Sequence, residues 1–289
     1  MAFEQEPVSK SWMPPEGYYE QRAESDVNPY LHFAGRFLVS AATIAMYGRP
    51  KVVTSAGFED ARPQFDHGNI IIGSVHRDEW DTVALPSAIE RAGIHHARPI
   101  GKGELLDIHD ALTWTLHGLG LIGVNRKNPD IEGLNHTQES ILGRKGVITN
   151  YIEATRVHTD VLNVHKVARG IVFAAAANDS LIVPVGIAGL SSERVGQKTE
   201  QRIIARDKRA RFGVSRFRIG PRLVFAFGDP LRLGPLPEFE QEKAGALTRA
   251  GKSALREETN IRAELVRKAV QKAHETAYLV RGSSLEDEH

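Results

Sequence analysis

The chain has no cysteine among its 289 residues, which excludes disulfides, thiolate metal sites and a cysteine nucleophile. It also lacks the run of about 20 apolar residues that a membrane span requires. The best candidate, Tyr30 to Gly48, is interrupted by Arg36, and its apolar part beyond that point is too short to cross a bilayer. That segment reads as a core helix or as a helix lying on a membrane surface, the core helix being the plainer expectation. Neither charge is in excess: 37 Lys and Arg stand against 36 Asp and Glu, so the total points to no class of partner. The stretch MAFEQEPVSKSWMPPEGYYEQ has early acids and no apolar centre, and so does not read as a secretory signal. There is no internal repeat and no low-complexity linker. Hydrophobic residues make up 41% and charged residues 25%, the balance of a soluble globular chain with a sizeable core.

What is present is an alternation of strand-like and helix-like segments. Met1 to Val27 is polar and proline-bearing, and is expected to hold little regular structure. Pro29 suits a helix start, with Leu31, Ala34, Phe37, Leu38, Ala41 and Ala42 recurring at helical spacing. Strands are expected at Lys51–Gly57, Asn69–Val75, His96–Gly101, Leu121–Asn125, Gly146–Tyr151 and Leu181–Gly189. Helices are expected at Asp81–Ala92, Glu104–His117, Asn135–Arg144 and Lys166–Ala177. This order implies an α/β fold with a mixed, largely parallel sheet flanked by helices. Arg216–Ile219 and Leu223–Phe227 read as a strand pair around Gly220-Pro221. Phe239–Val280 reads as a long C-terminal helical segment whose apolar face is Leu255, Ile261, Leu265, Val266, Val270 and Ala273.

Gly118–Gly123, GLGLIG, matches the G-x-G-x-x-G dinucleotide pattern. That pattern has meaning only where it follows a strand and opens a helix, and here a helix precedes it and a strand and turn follow. More informative is Val75–Asp81, VHRDEWD, where a buried strand gives way to a helix, at the kind of carboxyl edge where α/β folds bind ligands. His76 and Asp81 form H-x4-D. A carboxylate one helical turn away can fix the histidine's tautomer and stabilise its charged form. The plainer alternative is that Asp78 and Glu79 fill the first helical turn, where the macrodipole favours acids, beside a satisfied loop histidine.

Three further blocks follow in order: LIGVNR ending at Arg126, YIEATR with Glu153, Thr155 and Arg156, and IVPVGI with Val183-Pro184-Val185. With VHRDEWD, this series resembles the PlsC-like glycerolipid acyltransferases, the family of lysophosphatidic acid and glycerol-3-phosphate acyltransferases. Lys166 and Gly170 stand where a lysine-glycine pair usually precedes the V-P-V block, and Ser215–Leu233 resembles the family's closing strand pair. The resemblance spans about Val52 to Leu233. It implies a glycerol-3-phosphate acyltransferase-like fold in which His76 is the general base and Asp81 its orienter. The acyl donor would be acyl-CoA or acyl carrier protein, a co-substrate rather than a cofactor, and no metal is implied. Arg126 and Arg156 would clamp the phosphate of a glycerophospholipid acceptor, most readily lysophosphatidic acid or else glycerol-3-phosphate. Glu153 would hold an arginine and Thr155 would add a donor. Such chemistry needs no enzyme nucleophile, in keeping with the lack of cysteine and of any G-x-S-x-G elbow. Three positions depart from the family pattern. Val75 replaces the usual asparagine before the histidine, Ile152 replaces a proline and Ala154 replaces a glycine, which implies a reshaped acceptor pocket.

From Arg194 to Arg222 the chain carries ten basic residues against Glu200 and Asp207. Such a patch suits anionic lipid head groups, CoA phosphates or an acidic carrier, and no nucleic-acid motif accompanies it. With the resemblance, it suggests a peripheral or monotopic protein on the cytoplasmic face of the plasma membrane, or otherwise a cytoplasmic one. The expected organisation is a flexible segment over 1–28, an amphipathic helix over 29–48, an acyltransferase domain over 49–235, a packed C-terminal helical segment over 236–282, and a tail over 283–289. Two other classes remain open from residues alone. One is a metal-dependent hydrolase using His76, Asp78, His95, His96, His109 or Asp110. The other is a non-catalytic lipid- or carrier-binding module.

Overall fold

The computed structural model describes residues 13–24, 29–47, 49–76, 81–106, 111–125, 130–153, 164, 167, 169–189, 223–237, 245 and 247–286. Two N-terminal helices, α1 (Tyr18–Glu24) and α2 (Pro29–Tyr47), precede strand β1 (Lys51–Thr54). Helix α3 (Ala56–Ala61) and a 3-10 turn (Arg62–His67) lead to β2 (Ile70–Ser74) and then α4 (Asp81–Arg91). Next come β3 (Ala97–Lys102), a 3-10 turn (Gly103–Leu106), α5 (Ala111–Gly118), β4 (Ile122–Val124), α6 (Ile131–Gly143) and β5 (Val147–Tyr151). The chain continues with α7 (Arg169–Ala177), β6 (Leu181–Ala188), β7 (Val224–Phe227), β8 (Leu231–Arg232) and α8 (Arg249–Glu286).

The strands form one sheet in the order β1-β7-β6-β2-β5-β3-β4, with β8 beside β6. From β6 to β4 every pairing is parallel, whereas β7 and β8 run antiparallel to β6. The expected mixed, largely parallel sheet is therefore the one that forms. β2 lies between β5 and β6, and all five of its residues are buried, which is why it reads as a continuous apolar run rather than an alternating one. Pro184, in the interior of β6, sits between the residues that pair with β7 and those that pair with β8. Its carbonyl accepts from Gly228 N–H at 2.9 Å. In a strand the N–H and C=O of one residue face the same side, so the donor that proline lacks falls in the gap between two ladders.

Helix α8 lies on β6 and β7 and touches α7. Contact with β6 is close because Gly186 has no side chain: a Cβ there would come within 2.3 Å of Ala273 and His274 backbone atoms. The buried face of α8 is Leu255, Thr259, Val266, Val270, Ala273, His274 and Ala277. Ile261 and Leu265, expected on that face, are more than half exposed. Thr259 takes a buried place instead by donating its hydroxyl to the Leu255 carbonyl at 2.7 Å.

Several boundaries differ from expectation. β1 stops at Thr54 because Ser55 caps α3, its hydroxyl accepting from Phe58 N–H at 3.1 Å. Helix α6 begins at Ile131 because Asp130 accepts from Gly133 N–H at 2.8 Å. Within Met1–Val27, residues Tyr18–Glu24 form a helix held by buried Tyr19 and Ala23. The strand expected at Arg216–Ile219 and the basic stretch Arg194–Arg222 lie outside the described residues.

Helix α2 reverses the expected burial. His32, Gly35 and Thr43 face the protein, while Tyr30, Leu31, Phe33, Phe37, Leu38 and Ile44 are exposed, Tyr30 at 84% and Phe33 at 66%. It is not a core helix. Glycines on both helices allow close approach to α5: a Cβ on Gly118 would lie 2.6 Å from the Leu31 carbonyl oxygen, and one on Gly35 3.0 Å from that of Thr115. Gly118 ends α5 and Gly120 turns the chain at φ +73° into β4, so the GLGLIG stretch is a helix-to-strand turn.

Candidate active site

Ser74, the last residue of β2, is in register with Tyr151 at the end of β5 and with Val185 in β6. The Ile152 N–H donates to the Ser74 carbonyl at 2.9 Å, tying the chain that leaves β5 to the end of β2. His76 and Glu153 therefore emerge from adjacent carboxyl ends of parallel strands, where open α/β sheets bind ligands. Glu153 has no exposed surface.

The His76 ring is held on two sides. Its Nδ1 lies 2.8 Å and 2.9 Å from the two carboxylate oxygens of Asp81, a residue with no exposed surface. Tyr151 stacks on the imidazole with centroids 4.5 Å apart and planes 25° apart. Asp81 is the first residue of α4, where the helix is expected to start. A carboxylate there gains from the helix macrodipole, so the helix start and the contact to His76 fall on one residue. With Nδ1–H donated to Asp81, Nε2 carries the lone pair, and the ring is set to accept a proton there. Tyr151 has no role that the sequence alone suggests, because cross-strand register is what brings it to His76.

The remaining candidates divide. Arg126, Thr155 and Arg156 lie outside the described residues, as do Ala154, Lys166, Asp78 and Glu79. Arg126 directly follows Asn125, which is buried at the end of β4, and β3 separates that strand from β5. Among the described residues no three His, Asp or Glu side chains are grouped to hold a metal. His95 instead pairs through Nδ1 with Glu90 at 2.7 Å, and the His96 ring lies 5.0 Å from that of His32. His109 and Asp110 lie outside the described residues.

No curated protein matches the chain by sequence. Among solved structures it is similar to the 1-acyl-sn-glycerophosphate (LPA) acyltransferase PlsC from Thermotoga maritima, at 15% identity over 89% of this chain and 87% of that one, with a TM-score of 0.49. The acyltransferase family model matches residues 52–188, a segment that contains the H-x4-D pair and the three blocks that follow it. The matched segment takes in His76, Asp81 and Glu153.

Proposed function

We propose that the protein is a glycerolipid O-acyltransferase with His76 as general base and Asp81 as its orienter. The observation that carries this reading is the buried His76–Asp81 pair at the carboxyl edge of the central parallel strand. The acyl donor is acyl-CoA or acyl carrier protein. The acceptor is a glycerophospholipid bearing a phosphate and a free hydroxyl, lysophosphatidic acid first and glycerol-3-phosphate second.

In this scheme His76 Nε2 takes the proton of the acceptor hydroxyl as its oxygen attacks the thioester carbonyl. Asp81 stabilises the imidazolium that forms. Collapse of the tetrahedral intermediate breaks the C–S bond, and the departing thiolate takes the proton back from Nε2, leaving an ester and a free thiol. A well-placed base contributes roughly 10²–10⁴-fold. Arg126 and Arg156 receive the acceptor phosphate, Glu153 holds an arginine in place, and the Thr155 hydroxyl adds a donor.

The same reading puts the protein on an anionic membrane surface at the cytoplasmic face. Support comes from α2, where Tyr30, Phe33, Phe37 and Ile44 form an exposed stripe along one side of the helix. No helix among the described residues is long and apolar enough to cross a membrane. A helix of this kind lies in the interface with its apolar face in the lipid, and the ten basic residues of the stretch 194–222 suit anionic head groups.

The test is thiol release from palmitoyl-CoA with lysophosphatidic acid, then glycerol-3-phosphate, in wild type and a folded His76→Ala variant. Acceptor-dependent release that the variant loses supports the reading and names the acceptor. Release indifferent to the acceptor would identify a thioester hydrolase instead.

A further inference from the structure

The imidazole of His76 meets two groups of different kinds. Asp81 lies at its edge, with both carboxylate oxygens within 2.9 Å of Nδ1. Tyr151 lies across its face, with ring centroids 4.5 Å apart and planes 25° apart. A contact at a single edge atom does little against tilting of the ring, which a partner over the face opposes.

The backbone that carries Tyr151 is fastened to β2. Tyr151 is in register with Ser74, and the next N–H, that of Ile152, donates to the Ser74 carbonyl at 2.9 Å. Ile152 is fully buried in room that Gly73 leaves: a Cβ on Gly73 would lie 3.2 Å from Ile152 Cγ2. Tyr151 is itself buried, so its ring has little space in which to move away from His76.

The face of a phenol ring is negative and its edge positive. A cation within about 6 Å of the centroid is attracted to that face, and more strongly where water is excluded. Neutral imidazole gains only ordinary stacking, whereas imidazolium gains the attraction to the face as well. The His76 side chain keeps 11% of its surface, so little water screens the contact. The stack therefore strengthens as His76 takes up a proton. An interaction that is stronger in the transition state than in the ground state raises kcat rather than lowering KM.

From this geometry we infer that Tyr151 is a positioning residue for the proton transfer, its ring face supporting His76 as the imidazole becomes charged. The inference rests on the reading above, in which His76 is the general base. The role belongs to the ring face and not to the hydroxyl.

The experiment measures kcat, acceptor KM and donor KM in acceptor-dependent thiol release for wild type, His76→Ala, Tyr151→Leu and Tyr151→Phe. Tyr151→Leu is expected to lower kcat roughly five- to thirtyfold, with both KM values within about twofold of wild type. Tyr151→Phe keeps the face and brings kcat back to within about threefold of wild type. Phenylalanines of increasing ring fluorination, placed at 151, keep nearly the same outline while the face becomes less negative, and kcat should fall step by step along the series. If Tyr151→Leu does not fold, the fluorinated series preserves the packing and supplies the test by itself.

Given that His76→Ala loses acceptor-dependent release, three results overturn the role of Tyr151 alone. One is a kcat indifferent to fluorination. Another is a leucine variant whose loss lies in either KM rather than in kcat. The third is a phenylalanine variant as impaired as the leucine one. Acceptor-dependent release that His76→Ala retains overturns the base assignment, and with it this inference.

Discussion

Asp81 brings both carboxylate oxygens within 2.9 Å of a single nitrogen of His76, and does so from a position with no exposed surface. One acid therefore serves one ring atom, which favours the tautomer with its proton on Nδ1 and leaves the lone pair on the opposite nitrogen. Asp81→Asn keeps the shape but can offer its amide N–H to Nδ1, which favours the wrong tautomer. The expected result is a folded protein whose kcat for thiol release falls by about 10²-fold or more, with donor KM little changed. A near-normal kcat in the Asp81→Asn variant would remove Asp81 from the mechanism.

The exposed rings of α2 predict lipid contact. Replacing Phe33 and Phe37 with serine should reduce co-sedimentation with anionic vesicles by about tenfold or more, because each ring buried in lipid gains roughly 1.5–3 kcal/mol. Thermal stability should hardly move, since both side chains are about two-thirds exposed. Unaltered vesicle binding in the double serine variant would send the membrane contact elsewhere on the protein.

Gly186 predicts a stability effect in the seating of α8 on β6. The alanine methyl would meet backbone atoms of α8 at 2.3 Å, and a helix backbone cannot step aside as a side chain can. Gly186→Ala should cost about 2 kcal/mol or more and lower Tm by at least about 4 °C. Differential scanning calorimetry reads this directly, and an unshifted transition would mean that α8 does not seat on β6 as described.

His32 predicts a pH dependence of stability. Its imidazole is 2% exposed and is lowered from its ordinary 6.5 to about 4, chiefly by burial, then by the neighbouring His96 and Arg36, with Glu90 opposing. Between those values the unfolded chain binds a proton that the folded one refuses, so stability is full above about pH 6.5 and drains away as the pH falls toward 4. The loss by about pH 5 should be of the order of 2 kcal/mol. Urea unfolding of wild type and His32→Gln at about pH 7.5 and pH 5 would reveal it as a difference in slope between the two proteins.

The alternating elements, the buried β2 and the His76–Asp81 pair are legible in the sequence because each is local: an apolar run, a turn, and an acid five residues from a base. The errors have physical causes of the same kind. Ser55 and Asp130 act as caps, and periodicity alone does not register a cap, so the sequence makes β1 too long and α6 too short. On α2 and α8, hydrophobic spacing identifies a helix but not which way it faces. Phe37 looks like a core residue, but His32 and Gly35 face the protein on α2; Leu265 looks like one too, but Val266 and Val270 are the buried residues beside it on α8. The stacking of Tyr151 on His76 depends on the register of two strands far apart in the chain, which no window of the sequence contains.

The order of strands also governs how the chain can be assembled. β1 pairs only with β7 among the described strands, and β7 in turn joins it to β6. The segment that matches the family model, 52–188, thus includes a first strand whose link to the rest of the sheet, among the described residues, is contributed by residues 224–227. During synthesis Lys51–Thr54 must wait until more than 170 further residues have left the ribosome, about 10–35 s at ordinary elongation rates. The central parallel strands can close around His76 within that interval. The outer strand is fastened only when β7 arrives, and a chain cut at residue 188 would leave it without that partner.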